Sequence, residues 1–319
     1  MKAIVARDYG PPESFEVADV PVPEAGPGQI QVRIAAASIN PGDIVIPSGA
    51  YPVQLTFPHV LGNDFAGTVT AVGAGVTAYS RGDEVFGHSV PRALGELAGA
   101  KQPSVTTGTL AEYAVFEAGT PFIAHRPPGL DVVTAAALPT VGLTAHALIK
   151  TAEPRPGETV LVIGATGGVG TTVLPLLKDS HVIATGHPPD AALLTKLGAT
   201  EVIDYDDYPS GGVDLILNLV RPTDQLRDAV KSLKPGGRLF TITFPPPRPE
   251  MIGRDDVRFE LVLDVDGDLG GMREVAGLTP LITARYDLDD GVRALTDFAR
   301  KHTVGKLVVN VCESHTMAA

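Results

Sequence analysis

Several residue types that define whole classes of protein are scarce in this chain. Its 319 residues include one cysteine, Cys312, so no internal disulfide framework can form, and they include no tryptophan. With 25 Lys and Arg against 37 Asp and Glu, the net charge of −12 argues against a nucleic-acid surface. No stretch approaches the roughly 20 uninterrupted apolar residues that a membrane span needs. The opening Met1-Lys-Ala-Ile-Val looks like a strand and lacks a signal-peptide pattern, so we expect a cytoplasmic protein without nucleic-acid or membrane partners.

A strand, a glycine-rich turn and a helix are predicted between residues 159 and 178. Thr159 to Ile163 is mostly branched and apolar, Gly164-Ala-Thr-Gly167-Gly168-Val-Gly170 forms the turn, and an apolar run at helical spacing follows. Small residues at such a junction let the backbone approach a ligand, and the helix N-terminus favours a phosphate. The pattern predicts a cradle for the pyrophosphate of a dinucleotide, although glycine-rich turns also follow strands where nothing binds.

Further strands and helices alternate after this turn. The predicted strands are His181 to Gly186, Glu201 to Tyr205, Val213 to Leu219 and Arg238 to Phe244, with helices at Leu193 to Leu197 and Leu226 to Leu233. Such alternation predicts a parallel sheet covered on both faces, which favours the phosphate-binding interpretation.

The first 122 residues have a different pattern, and the chain is long enough for two domains. Short strand-like runs separated by Gly and Pro predict a partly closed β-barrel or a sandwich. The runs are Lys2 to Ala6, Ile30 to Ile39, Phe65 to Val72, Glu84 to Phe86 and Leu110 to Val115. Between His88 and Gly108 we expect a surface loop or lobe.

Motifs along nearly the whole chain resemble the medium-chain dehydrogenase/reductase superfamily, in particular its zinc-independent quinone oxidoreductase branch. They are Ser38-Ile-Asn-Pro-Gly-Asp-Ile44, Pro58-His-Val-Leu-Gly-Asn-Asp-Phe-Ala-Gly67, Gly108-Thr-Leu-Ala-Glu-Tyr113, Leu138-Pro-Thr-Val-Gly-Leu-Thr-Ala145, the glycine turn and Gly305-Lys306-Leu-Val-Val309. The resemblance implies an α/β protein with a GroES-like β-barrel catalytic domain and a Rossmann domain with a doubly wound parallel sheet. The catalytic domain is expected over residues 1–122, completed by 268–319, and the nucleotide-binding domain over 123–267.

The ligands of a catalytic or structural zinc are missing from these motifs. Zinc-dependent relatives carry Gly-His-Glu where this chain has Gly62-Asn63-Asp64, and the run around Asn40 lacks their first ligand cysteine. The lone Cys312 is expected to be structural or incidental, and Asp64 to form hydrogen bonds within the barrel. Three histidines without ligand spacing are expected to pack or to lie at the surface: His88, His125 and His146. We therefore expect no metal site, and a zinc alcohol dehydrogenase is nearly excluded.

The resemblance implies hydride transfer from NADPH to a quinone or an α,β-unsaturated carbonyl compound, in a cleft between the domains. Asn40, Asp43 and Tyr51 match the residues that line this cleft in relatives. Tyr51 either donates a proton to the acceptor oxygen or holds it, or it is a half-buried aromatic residue at a domain edge. Asn40 and Asp43 alternatively cap a turn. With no Trp and 10 Phe, the chain has few aromatic rings that could stack on a flat quinone. This composition slightly favours an aliphatic enone as the acceptor.

The implied cofactor-binding residues lie in the helix that leads into the second domain, in the glycine turn, at the ends of the following strands and in the last motif. They are Thr140, Thr144, Gly164, Ala165, Thr166, Gly167, Gly168, Val169, Gly170, Gly186, His187, Tyr205, Asn218 and Lys306. For the two threonines, helix capping is the alternative.

The choice between NADPH and NADH depends on the end of the predicted strand His181 to Gly186, which is the second strand of the nucleotide-binding domain. NAD-specific folds place an acidic residue there, and Thr185-Gly186-His187 has none, which favours NADPH. Tyr205 matches a tyrosine of NADPH-binding relatives, but Asp190 stands where they have Lys or Arg. His187, Lys196 or Arg221 can supply the missing charge, and each is otherwise a solvated surface residue.

A second class of function stays open at this point. A nucleotide-binding protein without redox turnover, as in crystallin-like relatives, would carry the same cradle. Relatives are often dimers, so we expect a homodimer.

Overall fold

The computed structural model describes residues 1–101 and 107–311. Their contacts divide the chain into two compact units, one formed by Met1–Thr140 with the chain from Val265 onward, the other by Val141–Asp264. Cys312 lies outside the described residues. In the described ranges, no helix is long and apolar enough to cross a membrane.

Strands and helices are numbered along the whole chain. The strands are β1 (Lys2–Ala6), β2 (Glu16–Asp19), β3 (Gln29–Ser38), β4 (His59–Val60), β5 (Asp64–Val72), β6 (Glu84–His88), β7 (Tyr113–Glu117), β8 (Ile123–His125), β9 (Thr159–Ile163), β10 (His181–Thr185), β11 (Glu201–Ile203), β12 (Val213–Asn218), β13 (Leu233–Thr241), β14 (Arg258–Leu261), β15 (Ile282–Asp287) and β16 (Lys306–Asn310). The α-helices are α1 (Gly42–Val45), α2 (Arg92–Leu97), α3 (Val132–Ala137), α4 (Pro139–Ala152), α5 (Gly168–Val173), α6 (Ala191–Leu197), α7 (Arg227–Val230), α8 (Pro249–Ile252), α9 (Met272–Val275) and α10 (Gly291–Arg300). Short 3₁₀ segments cover Pro12–Ser14, Leu174–Leu177, Pro188–Asp190, Thr223–Gln225 and Leu288–Asp290.

The first unit is built on a mainly antiparallel sheet. Its strand order is β15-β16-β3-β5-β6-β8, with β7 also paired to β3, and a second sheet has the order β2-β1-β4. The long strand β3 alternates buried and half-buried residues, as expected for a strand with one face in the core. Strand β16 pairs antiparallel with β3, where Val308 lies opposite Ser38, so the C-terminal part of the chain completes this sheet.

The second unit contains a six-stranded sheet in which every pairing is parallel. The order is β11-β10-β9-β12-β13-β14, and the chain changes direction across the sheet between β9 and β12. In such a doubly wound sheet, ligands bind outside the carboxyl ends of the strands at this reversal. The predicted parallel sheet is confirmed, and the glycine turn follows β9 at the reversal.

Two details differ from the expectations. Residues 123–140 lie with the first unit rather than the second, because β8 pairs with β6 and α3 packs against β3 and β5. The helix predicted to reach Leu233 ends at Val230, and β13 begins at Leu233, which pairs with Val213. The register then shifts so that Leu215 pairs with Arg238, and the Pro-Gly-Gly sequence between the two pairs forms an irregularity inside the strand.

Candidate functional site

The glycine turn after β9 is held in place by its neighbours. Gly164 has a φ of +89°, a conformation that glycine adopts without strain, and a Cβ atom there would lie 2.8 Å from Val220 Cγ1. Its N–H donates to Thr185 Oγ1 at 2.9 Å, which ties the turn to the end of β10. Ala165 is fully buried. The start of the turn is therefore a fixed part of the second unit.

Two further glycines of the turn differ in what a side chain would meet. At Gly170, a Cβ atom would lie 2.5 Å from the carbonyl oxygens of Gly164 and Ala165, so this glycine is required for the helix to pack on the turn. At Gly167, with a φ of −68°, the nearest atom to a Cβ would be Gly164 O at an ordinary 3.6 Å. The fold itself does not require glycine at 167, which leaves its backbone open to a ligand.

Helix α5 begins directly after this glycine. Gly167 is its N-cap, and among the described residues no side chain caps the helix, so Gly168 and Val169 stand in an uncapped first turn. Thr171 and Thr172 instead donate their hydroxyls back to carbonyls of Gly167 and Gly168. Uncapped N–H groups next to an open backbone suit a phosphate group, so the turn fits the pyrophosphate of a dinucleotide.

The neighbouring strand ends carry the predicted adenosine-side residues. A Cβ atom on Gly186 would lie 2.6 Å from Leu194 Cδ1, so a side chain there would require Leu194 to move. The Tyr205 hydroxyl lies 3.0 Å from Thr166 Oγ1, and its ring centroid is 5.0 Å from that of His187. The structure thus brings together the predicted Thr166, Gly186, His187 and Tyr205 at one edge of the sheet.

Asn218 closes the end of β12. It is fully buried, and its amide nitrogen donates to Arg221 O at 2.8 Å, to Thr241 Oγ1 at 2.8 Å and to Thr243 Oγ1 at 2.9 Å. All of these bonds are internal to the second unit. The predicted cofactor-binding Asn218 therefore shapes the loop that follows it.

In the first unit, a buried carboxylate collects hydrogen bonds from residues far apart in sequence. Asp64 accepts from Asn40 Nδ2 at 2.8 Å, from Thr140 Oγ1 at 2.6 Å and from Ser38 Oγ at 3.1 Å, and His88 Nδ1 lies 2.9 Å away. The prediction that Asp64 forms hydrogen bonds within the barrel is confirmed. His88 was expected only to pack or to lie at the surface, and the structure places it in this polar cluster.

Lys306 supplies the positive charge of the cluster. It is 2% exposed, and its ammonium donates to Ile39 O at 2.9 Å and Asn40 Oδ1 at 2.7 Å, with Asp64 Oδ2 at 3.5 Å. Burial lowers the pKa of Lys306, while the nearby carboxylates oppose that effect. For Asp64, burial alone would raise the pKa, but the Lys306 charge and hydrogen bonds from His88 and Thr140 hold it well below the usual range.

The predicted catalytic residues occupy different environments. Asn40 and Asp43 are 4% and 2% exposed, and Asp43 Oδ2 accepts from the Asn40 N–H at 2.8 Å. Asp43 Oδ1 is buried and has no partner in the described residues, and burial raises the pKa of Asp43 to about 7. Tyr51 is half-buried in the loop between α1 and β4. Asn40 and Asp43 are therefore part of the polar cluster.

The two predicted threonines lie at the start of helix α4. Thr140 belongs to the Asp64 cluster through its N–H, 3.2 Å from Asp64 Oδ1, as well as its hydroxyl. Thr144 is half-buried one turn later. Because Thr144 lies inside α4, it does not cap the helix, and contact with the cofactor stays a prediction for this residue.

Metal-ligating side chains do not assemble in the described ranges. No group of three or more His, Cys, Asp or Glu side chains there could hold a metal ion. His125 Nε2 lies 3.0 Å from Asp83 and its ring stacks on Tyr79, in keeping with the predicted surface position. His146 Nε2 is buried without a described partner.

Sequence reasoning missed the contacts of the Asp64 cluster, because its members are contributed by five separate segments. One signal was available. Lys306 stands directly before the apolar run Leu307-Val-Val309, and a charge at a buried strand position requires a partner.

Two family models match the chain. One, described as "Alcohol dehydrogenase GroES-like domain", matches residues 26–125, and one described as "Zinc-binding dehydrogenase" matches residues 197–309. The matched ranges lie on the antiparallel sheet of the first unit and on the chain that runs from the second unit back to the first.

Individual proteins resemble the chain as well. It is 35% identical over 254 residues to a 2-methylene-furan-3-one reductase of Solanum lycopersicum and 33% identical over 254 residues to an "NADPH-dependent alkenal/one oxidoreductase, chloroplastic" of Arabidopsis thaliana. Each match covers 76% of this chain and spans 62% of the relative's length. A quinone oxidoreductase of Coxiella burnetii superposes with a TM-score of 0.84 at 28% identity, covering 98% of this chain and 99% of the other.

A GroES-like domain and a Rossmann-type parallel sheet with a glycine turn define a pyridine-nucleotide oxidoreductase fold, and the predicted fold class is confirmed. The chain belongs to the medium-chain dehydrogenase/reductase superfamily.

Proposed function

We propose that this protein is an NADPH-dependent oxidoreductase that transfers a hydride to a quinone or an α,β-unsaturated carbonyl compound without zinc. The observation that carries the proposal is the glycine turn at the sheet reversal, where Gly167 is not required by the fold and leaves backbone open to a phosphate. The names of the Arabidopsis and Coxiella relatives support the same class of reaction and, for the former, the same cofactor.

The residues of the second unit fit the cofactor in distinct ways. The backbone of Gly167, Gly168 and Val169 would hold the pyrophosphate, because these positions combine an open surface with an uncapped helix start. The adenosine ribose would lie at the end of β10, beside the His187 and Tyr205 rings. Residues 185–187 include no carboxylate, which favours a 2′-phosphate over the free ribose hydroxyl, and the Asp204 carboxylate lies 3.6 Å from His187 Nδ1.

A zinc-free mechanism is supported by the chemistry of the Asp64 cluster. Asn63 and Asp64 replace the His and Glu of zinc-dependent relatives. A lysine ammonium already neutralises the Asp64 carboxylate, with a contact of 3.5 Å. The Lys306 ammonium is the cation of this cluster, and its positive charge would repel a metal ion at Asp64.

When bound, NADPH supplies the hydride. Reduction of a quinone or an enone places negative charge on a conjugated oxygen, and a hydrogen-bond donor stabilises that charge. We assign this donation to the Tyr51 hydroxyl. Asn40 and Asp43, which hydrogen-bond to each other and are buried, act as positioning residues for the segment that leads to Tyr51.

A panel of quinones and enones, assayed with NADPH and with NADH by loss of nicotinamide absorbance, tests the proposal. We expect turnover of at least one acceptor class with NADPH, and a Tyr51→Phe variant with reduced kcat and unchanged NADPH affinity. If every acceptor is inert while NADPH still binds, the protein is a non-redox nucleotide-binding protein instead. We also expect metal analysis of the active protein to find less than stoichiometric zinc. One zinc per chain would contradict the metal-free mechanism.

The oligomeric state and the location belong to the same proposal. We expect a homodimer, which light scattering of the purified protein tests directly. A monomer at micromolar concentration would contradict it. The cytoplasmic location stays a prediction, and fractionation of cells that express the natural gene tests it.

A further inference from the structure

The 2′-phosphate of NADPH requires a positive charge that the sequence does not offer at the expected place. The turn after β10 forms a 3₁₀ segment, Pro188–Asp190, which contains an aspartate and no Lys or Arg. A cation beside the additional phosphate forms charge-assisted hydrogen bonds with it and raises the affinity of the nucleotide. Such a cation would be an arginine or a lysine of a neighbouring segment.

Arg221 is held at the same end of the sheet by its backbone. Its N–H donates to Asn218 Oδ1 at 3.1 Å, and its carbonyl accepts from Asn218 Nδ2 at 2.8 Å and from the Thr243 hydroxyl. These bonds fix the Cα position of Arg221 in the loop after β12. The direction of its side chain is then set by what the guanidinium contacts.

The guanidinium reaches the segment that follows β11. Nη2 donates to Tyr205 O at 3.0 Å and to the Asp206 carboxylate, and the guanidinium carbon lies 5.9 Å from the centre of the Tyr208 ring. Arg221 Nε is buried and has no partner among the described residues. The Arg221 side chain also interacts with the Tyr208 hydroxyl, so the exposed Asp206 carboxylate is the contact of the guanidinium that a ligand can replace.

This contact spans a large part of the sheet edge. Strands β12 and β11 are separated by β9 and β10, so the loops that follow them must approach each other for the Arg221 guanidinium to reach Tyr205 O. The carboxyl ends of β9 and β10 lie between them and carry the glycine turn and Gly186. This is the edge at which doubly wound sheets bind nucleotides.

We propose that Arg221 recognises the 2′-phosphate of NADPH and sets the preference for NADPH over NADH, exchanging the carboxylate of Asp206 for the phosphate. The inference rests on the proposed function. Asp206 has a side chain that is 83% exposed, so its release into water costs little. A phosphate offers the planar guanidinium of Arg221 a stronger, two-point acceptor than the exposed Asp206 carboxylate.

The other nearby carboxylate does not oppose this exchange. Asp204 Oδ1 accepts from the Tyr205 N–H at 2.8 Å and lies 3.6 Å from His187 Nδ1. Its described contacts are with Tyr205 and His187, whereas the described carboxylate contact of Arg221 is with Asp206.

Calorimetric titration with 2′,5′-ADP and with 5′-AMP measures the contribution of the 2′-phosphate without any turnover. For Arg221→Met we expect the affinity for 2′,5′-ADP to fall about 10- to 100-fold, the loss of a charged hydrogen-bonded pair, and that for 5′-AMP to fall less than about threefold. Arg221→Lys keeps the charge but not the two-point geometry, so we expect its affinity for 2′,5′-ADP to lie between those of the wild type and Arg221→Met. We expect Asp206→Asn to free the guanidinium, which would raise the affinity for 2′,5′-ADP and leave that for 5′-AMP unchanged.

Arg227→Met is the matched control, because this exposed arginine in the next helix donates to Glu250 O and does not reach Tyr205. The ratio of the two dissociation constants is independent of how much of each preparation is folded. A ratio in Arg221→Met equal to that of the wild type overturns the inference while the proposed function stands. Failure of the wild type to bind either nucleotide overturns the proposed function itself.

Discussion

The carboxylate of Asp64 and the ammonium of Lys306 form an ion pair inside the first unit, with Oδ2 and Nζ 3.5 Å apart and side chains that are 0% and 3% exposed. The two residues are separated by 242 positions in the chain, so the pair joins the beginning of strand β5 to the beginning of strand β16. A buried pair of this kind is sensitive to removal of either partner, because the remaining charge is then buried without compensation.

Lys306→Met tests this dependence. The substitution keeps the length of the side chain and leaves Asp64 without its cation, so we expect the free energy of unfolding to fall by about 3–5 kcal/mol in urea titrations. Lys301→Met is the control, since Lys301 pairs with Asp297 at 2.9 Å but is 66% exposed, and exposed pairs contribute little. Equal stability of the two variants would show that the buried pair does not carry this energy.

Asp43 makes stability depend on pH in the neutral range. Burial raises the pKa of its carboxyl from 3.8 to about 7 in the folded state, so folding favours the protonated form. Its contribution to stability is complete below a pH of about 4 and is lost as the pH rises through about 7. Asp43→Asn cannot ionise, so its stability relative to the wild type should improve from pH 5 to pH 8 by about 1 kcal/mol or more, given about 1.4 kcal/mol per pKa unit.

Urea unfolding midpoints at the two pH values measure this difference. Asp289→Asn serves as a comparison, because Asp289 is an exposed carboxylate paired with Lys2. We expect that variant to follow the wild type at both pH values. If Asp43→Asn does the same, Asp43 is ionised in the folded protein across this range and its assigned environment is wrong.

The glycines of the turn should differ in their effect on stability. An alanine at Gly170 brings a Cβ atom within 2.5 Å of two carbonyl oxygens, and overpacking of this kind costs about 2 kcal/mol or more. Gly167→Ala meets no such contact and costs about 1 kcal/mol or less, as expected at an N-cap. Thermal or urea unfolding of the two variants gives the comparison, and a reversed order would mean that the turn has a different backbone.

Glu153, alone among the non-glycine residues that the structure describes, has a positive φ, +46°, directly after helix α4. Glycine is the preferred residue in this conformation at the end of a helix. We therefore expect Glu153→Gly to stabilise the protein by about 0.5–1 kcal/mol. Glu153→Ala keeps the strain and should give no gain; a gain as large as that of glycine would assign the effect to the lost side chain.

Local patterns predicted the second unit well. Strand β9 has the expected bounds, and β10, β11 and β12 begin at the predicted residues. Each of these strands is a short, branched, apolar run with a turn signal at its end, which is information contained within a few residues. The sequence predicts a helix that reaches Leu233 and a strand that begins at Arg238, because local propensity does not reveal that Leu233 already pairs with Val213 of β12.

The polar clusters could not be predicted in the same way. Ser38, Asn40, Asp64, His88, Thr140 and Lys306 meet only because several strands and a helix converge. Arg221 likewise reaches Tyr205 across the sheet edge, and no spacing in the sequence relates them. Motifs predict chemistry whose residues are adjacent in sequence, whereas these contacts depend on the strand order.

Calorimetric titration of NADPH into the wild type and into Gly167→Ala is the most direct test of the account. The side chain at 167 has room in the folded chain but would occupy the space over the open backbone. We predict one NADPH per wild-type chain and an affinity at least about 10-fold lower for the variant, a difference of about 1.4 kcal/mol, with its unfolding midpoint nearly unchanged. Equal affinities of the wild type and the variant would contradict the account, because the pyrophosphate would then lie elsewhere.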